Sequence, residues 1–203
     1  MAFDGDTALM NKLQRSDLYS LEQYAEKRDE FRRELMTHKA QRRVDLDDHI
    51  SLFFEDRLTM QYQVQEILRT EKIFEADGIQ EELDAYNPLI PDGSNLKATL
   101  MIQYEDIDER KQALARLIGI ETAVWISIAG GDKVFAHADE DLERETEEKT
   151  SSVHFLRYEF TPEMVSGARN GGAIAIGIDH TELMLSGREL DAATRAALAA
   201  DFS

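Results

Sequence analysis

No cysteine occurs among the 203 residues, and there are only three prolines. Without a thiol there is no disulfide, no thiolate metal site, no cysteine nucleophile and no self-ligated iron–sulfur cluster. The same absence argues against a small secreted scaffold. No apolar run approaches the roughly 18 residues that cross a membrane. The opening residues, Met1-Ala2-Phe3-Asp4-Gly5-Asp6, are acidic, unlike a secretory signal. A soluble, cytoplasmic protein is expected. Signatures for a P-loop, a dinucleotide fold, a Gly-x-Ser-x-Gly elbow or a kinase are missing too, and Gly130-Gly131 and Lys149-Thr150-Ser151-Ser152 are too short to cradle phosphate.

Positive charge is scarce: 23 Lys and Arg stand against 41 Asp and Glu, a net charge of −18. Residues 1–45 balance nine acids with nine bases, so the excess falls entirely on the remainder. Such a surface repels phosphate, and neither nucleic acid nor an anionic membrane is expected as a partner. The N-terminal bases alternate with acids, as in the i,i+4 pair Asp29–Arg33, and read as one solvated helix face.

The chain is nevertheless 42% hydrophobic, enough for a real core. Ser20 with Gln23 forms a capping box, and Tyr19 with Tyr24 a staple, for a helix from Leu21 to about Arg43. A second, central helix is expected from the Asp45–Asp48 acids to about Phe74. Its stripe is Ile50, Phe53, Met60, Val64, Ile67 and Phe74 at 3.6 periodicity. A short helix over 79–85 precedes the breaker Asn87-Pro88-Leu89-Ile90-Pro91-Asp92-Gly93, whose Leu89 and Ile90 suggest a loop pinned to the core.

Beyond it the period alternates. Strands are expected at 97–104, 123–129, 133–137, 152–160 and 173–179. Helices are expected at 106–118, 139–149, 161–170 and 188–202. The fold class is therefore α+β: a long-helix N-terminal region packed on a mostly antiparallel, ferredoxin-like βαββαβ sheet with an αβα extension. The division reads as a flexible N-terminus (1–15), a helical region (16–86), a connecting loop (87–96) and an α+β sheet domain (97–203).

Candidate chemistry is sparse. On the central helix Glu55, Tyr62, Glu66 and Arg69 share one side, while Arg57 and Glu71 fall within the apolar stripe and call for partners. With Arg157 these residues form a candidate ligand-binding or buried polar set. Glu55 and Glu66 would lie roughly 16 Å apart along the axis, too far for an acid/base dyad. His137, His154 and His180 sit on or beside strands near carboxylates, a mixed set suited to Fe, Mn or Zn, although no spacing is a metal motif. The acidic run from Asp139 through Glu140, Asp141, Glu143 and Glu147 is a candidate docking face.

His38-Lys39 through Arg42-Arg43, Phe54-Glu55-Asp56-Arg57, Tyr62-Gln63-Val64-Gln65-Glu66, the stretch Tyr86 to Gly93, Asp139 to Arg144 and Glu148 to Arg157 together resemble a bacterial family catalogued as domain of unknown function 3501. The resemblance runs from about Arg15 to His180. It brings no catalytic residues, but it implies work beside rubrerythrin-like diiron proteins and iron–sulfur oxidoreductases. The first functional expectation is thus a non-catalytic accessory or docking protein of an iron-dependent redox or peroxide-defence system, with a redox protein or a second copy of itself as partner. The alternative is a metal-dependent enzyme with a His/carboxylate site at the sheet edge. A third reading, small-ligand sensing between helices and sheet, rests on the charged residues of the central helix.

Overall fold

Residues 12–140 and 149–203 are described in the computed structural model of this chain. The capping box predicts the start of the first helix, α1 (Leu21–Ala40): the Ser20 hydroxyl accepts from the Gln23 N–H, and the Gln23 side chain accepts from the Ser20 N–H. Its inner face carries Tyr24, Phe31 and Leu35. Tyr19 and Tyr24 both meet Phe31 edge-on, at ring distances of 6.2 and 6.3 Å.

The expected central helix over 45–74 is three elements: strands β1 (Arg43–Asp45) and β2 (Ile50–Glu55), then helix α2 (Arg57–Glu71). Period two wins at its start because Ile50, Leu52 and Phe54 all turn into the core. The Asp47 carboxylate, one of the supposed helix-start acids, instead accepts from His49 N at 2.8 Å and Ile50 N at 2.6 Å, closing the β1–β2 turn. The true N-cap is Asp56, which accepts from Thr59 N at 3.0 Å. With the start moved, the buried stripe becomes Met60, Val64 and Leu68. Arg57 and Glu71, expected in that stripe, lie outside it, and Phe74 is exposed.

Helix α3 (Ala76–Tyr86) runs into a 3-10 turn at Asn87–Leu89. Residues 12–15, expected to be flexible, lie against this turn. Leu13 N donates to Asn87 Oδ1 (2.7 Å), and Lys12 Nζ donates to the carbonyls of Asn87 and Ile90 at 2.8 and 3.0 Å. Leu13 and Ile90 join Met60, Val64, Leu68 and Leu83 in a small apolar core, so the turn is pinned as its leucine and isoleucine suggest.

The chain continues through β3 (Asn95–Ile102), α4 (Ile107–Arg116), α5 (Ile120–Ala123), β4 (Val124–Ile128), β5 (Val134–Phe135), β6 (His137–Ala138), β7 (Val153–Glu159), α6 (Pro162–Arg169), β8 (Ile174–His180), β9 (Leu183–Glu189) and α7 (Ala192–Ala199). Among the described residues these strands form two antiparallel sheets, in the orders β1-β2-β3-β7-β6 and β5-β4-β8-β9. The fold is α+β. The ferredoxin-like arrangement would unite β3, β4, β5 and β7 in one sheet, whereas the chain changes sheets at buried Ala136. One reason lies in Trp125, which covers Gly177 and Gly187. A Cβ on Gly177 would sit 2.3 Å from the indole, so only these glycines admit it. That selects β8 and β9 as the companions of β4.

The first sheet draws strands from both sides of the Asn87–Gly93 turn, so no helical half is separated there from a sheet half. The terminal helix expected over 188–202 is shorter. Arg188 and Glu189 close the exposed edge strand β9, and Asp191 caps α7 by accepting from Ala193 N and Thr194 N. The inner faces of both sheets, with α4, α6 and α7, enclose one large apolar core. The acidic helix expected over 139–149 falls, from 141 to 148, outside the described residues.

Candidate functional site

Strand alternation decides what the first sheet shows on its outer face. Leu96, Ala98, Leu100 and Ile102 of β3 point into the core, which turns Lys97, Thr99 and Met101 outward. On β7, His154, Leu156 and Tyr158 go in, and Phe155 and Arg157 go out. The register then aligns Glu55, Lys97, Arg157 and His137 in one row across β2, β3, β7 and β6.

Two of these charges are satisfied. Arg157 donates through Nε and Nη2 to Glu140, both at 2.7 Å, and through Nη1 to Glu159 at 2.5 Å. Glu55 accepts from Thr99 Oγ1 at 2.8 Å. Lys97 is different: among the described residues its ammonium makes neither a hydrogen bond nor an ion pair. It borders a cavity of about 680 Å³ between the outer sheet face and the end of α3, with Tyr86, Pro88, Leu89 and Phe155 as apolar walls and Glu82, Asp84 and Glu140 as acids around it. That volume suits a small organic molecule. Burial, then the cation of Arg157, push the Lys97 ammonium below its ordinary value, against the pull of Glu140 and Asp92. Burial, then the neighbouring Glu71 and Glu81, push the Glu82 carboxyl up.

Of the expected polar set, only Arg157 reaches this cavity. Glu55 ends β2 instead of riding the helix, because that segment is a strand. Arg57 pairs with Asp17 at 2.8 Å, and Glu71 is exposed. Tyr62 meets Phe31 edge-on at 5.8 Å. Glu66 ties α2 to α1: it accepts from Tyr24 Oη at 2.7 Å and from Arg28 at 2.7 and 2.9 Å, with Arg69 at 3.5 Å. Arg28 and Tyr24 hold the Glu66 carboxyl down at about 2 despite partial burial. Glu66 thus clamps the two helices together.

The three histidines do not converge, and among the described residues no group of three His, Asp or Glu is arranged to hold a metal ion. His137 is exposed on the outer sheet face. His154 is wholly buried on the inner face. Its Nδ1 meets Asp139 at 2.5 Å, and its Nε2 meets Thr150 Oγ1 at 2.9 Å and the Ser151 carbonyl at 3.1 Å, with Glu121 at 3.9 Å. Both ring nitrogens are therefore engaged by protein groups, and the imidazole is tied into the inner face. His180 is engaged at both nitrogens, by the Ile118 carbonyl at 2.9 Å and the Glu182 N–H at 3.2 Å. Of the expected docking face, Asp139 and Glu140 are turned to His154 and Arg157, and Asp141, Glu143 and Glu147 lie outside the described residues.

A second polar knot ties the residues around β1 and β2 to the last helix and its end. Buried Arg42 donates to the carbonyls of Phe54 (3.1 Å), Glu55 (3.3 Å) and Ala197 (3.1 Å), pairs with Asp201, and lies 3.5 Å from Asp56, which holds His38 at 2.5 Å. With nearly every guanidinium donor filled, Arg42 is a rivet.

These features define an α+β protein of two antiparallel sheets, with a ligand-sized cavity on the outer face of the first. The chain belongs to the family described as protein of unknown function (DUF3501), whose model matches residues 12–202. It is similar to a solved protein of unknown function from Burkholderia pseudomallei, at 47% identity and a TM-score of 0.90, over 95% of this chain and 100% of that one. No curated protein matches. Among the described residues no helix is long and apolar enough to cross a membrane.

Lys97 and Glu82 are absent from the residues that motif reading singles out. The available signal was the alternation of the strand beginning at Lys97, which sets a lysine opposite Ala98, Leu100 and Ile102; its partner Arg157 needed the register.

Proposed function

We propose that the protein binds a small, largely apolar, uncharged organic molecule in the cavity between α3 and the first sheet. The observation that carries this reading is the partly buried ammonium of Lys97, without a partner among the described residues, at a cavity with apolar walls. A buried charge without a partner costs stability, and a ligand oxygen accepting from Nζ would offset that cost. Polarity of the ligand follows from the surroundings. Arg157 is already neutralised by Glu140 and Glu159, and Glu82 and Asp84 add negative charge, so an anionic ligand would meet repulsion.

The test is displacement of Nile red, an uncharged apolar dye, by medium-chain alcohols and aldehydes. Ala85 is exposed at the cavity, and Ala85→Trp fills the space without entering a core. Saturable displacement from the native protein and its loss in Ala85→Trp, with the melting temperature kept, supports the reading. Equal dye binding by both proteins, or none by either, overturns it.

A second reading is favoured by the charge: docking to a basic redox partner through the acidic part of the chain after residue 45. Capture of a purified candidate partner at low salt and release at high salt would support it, and no capture at low salt would contradict it.

A further inference from the structure

The cavity holds more than a hydrogen-bond donor. Lys97 Nζ is a primary amine, among the described residues the only strong nucleophile bordering this space, and no described carboxylate pairs with it. Its register neighbour across the β3–β7 ladder is Arg157, whose guanidinium is held in place by two carboxylates and cannot move away. Burial beside Tyr86, Leu89 and Phe155 favours the neutral amine, and the neighbouring Arg157 adds to this against the pull of Glu140. Glu82 stands on the other wall with the opposite tendency, its carboxyl kept protonated further towards neutral pH. A basic group made easier to deprotonate and an acid made harder to ionise, facing one cavity, is the pairing that acid–base chemistry requires.

We propose that Lys97 captures an uncharged aldehyde or ketone as a reversible Schiff base. The neutral amine adds to the carbonyl carbon, forming the C–N bond, and the resulting carbinolamine loses its oxygen as water. One proton for that water comes from the carboxyl of Glu82 and returns to it from the iminium nitrogen; the other comes from the amine itself. No oxidant or reductant is consumed. The apolar walls hold the body of the carbonyl compound, and the cancelled charge of Arg157 means that no carboxylate is needed on it. This assignment rests on the cavity being a ligand site, and the experiment separates the two.

The full chain is incubated with hexanal and cyanoborohydride at pH 7, and the reduced adducts are located by peptide mass mapping. The Nile red displacement assay with hexanal alone runs beside it. One alkyl group on Lys97, formed on the order of tenfold faster than on the exposed Lys72 or Lys111, is the expected result for an amine that holds the carbonyl compound beside it. Lys97→Met should lose the fast label, and Glu82→Gln should slow it. Labelling spread evenly over the lysines, with displacement intact, overturns the Schiff base and leaves the binding site standing. Loss of displacement as well overturns both. An unaltered labelling rate in Glu82→Gln removes the proton role of that carboxyl.

Discussion

Lys97 and Arg157 face each other in register across β3 and β7, two cations side by side on one sheet face. Directly opposed like charges destabilise a ladder by roughly 0.2–1 kcal/mol. Arg157 is compensated by Glu140 and Glu159, so the cost falls on the lysine. A fold that tolerates such a residue beside a cavity has given up some stability at a place where a ligand could restore it.

Lys97→Met should therefore raise, not lower, the unfolding free energy of the isolated protein, by on the order of 0.5 kcal/mol. Urea denaturation at neutral pH checks this. A loss above about 1 kcal/mol would mean that the ammonium has a stabilising partner.

Arg42→Met should be severe. It leaves the largely buried Asp201 carboxylate and three carbonyls without this donor, and removal of one side of a buried charge pair costs about 3–5 kcal/mol. Arg28→Met, at the half-exposed clamp on Glu66, should cost far less. Equal losses in urea melts would contradict the contrast.

Two carboxyls give the pH–stability profile opposite slopes. Glu66 titrates at about 2 in the folded state, below its ordinary 4.5, so its contribution is complete above pH 4.5 and is lost as pH falls towards 2. Asp201 is pushed up to about 6 by burial, against the pull of Arg42. The folded state thus binds its proton more tightly, and the Asp201 contribution declines as pH rises from about 3.8 to about 6. Glu66→Gln should flatten the acid limb, and Asp201→Asn the stretch above it. Thermal melts at unit pH steps decide, and a steeper acid limb in Glu66→Gln would contradict the assignment.

Gly177→Ala should cost about 1–3 kcal/mol, because the new Cβ would lie 2.3 Å from the Trp125 ring and 2.6 Å from the Leu185 carbonyl. In Trp125→Leu the same substitution should cost less, and full additivity in a double-mutant cycle would refute the contact.

Local signals in the sequence were legible where a side chain acts on its own backbone. Ser20 caps the helix that its spacing with Gln23 predicts, and Asp106 and Thr161 cap α4 and α6 where helices are expected. The α+β class followed from the change of period. The error at 45–56 came from a segment whose apolar spacing fits either period, Ile50, Leu52 and Phe54 being decided by pairing with β3. Sheet partnership was likewise hidden, because the Trp125–Gly177–Gly187 fit joins residues far apart in the chain. The histidines looked like a site because strand ends can gather; in the fold, inward and outward alternation separates His154 from His137. The cavity could not be read at all, since Lys97, Arg157 and Glu82 meet only through register and the packing of α3.

The central claim is that the space at Lys97 receives a ligand, and diffraction from crystals soaked in hexanal tests it most directly. Ordered density between Tyr86, Leu89 and Phe155, with its oxygen or carbon end in bonding reach of Lys97 Nζ, is the predicted result. An empty cavity at a soak concentration that saturates dye displacement, or density confined to the separate groove between Ser20 and Leu68, would contradict it.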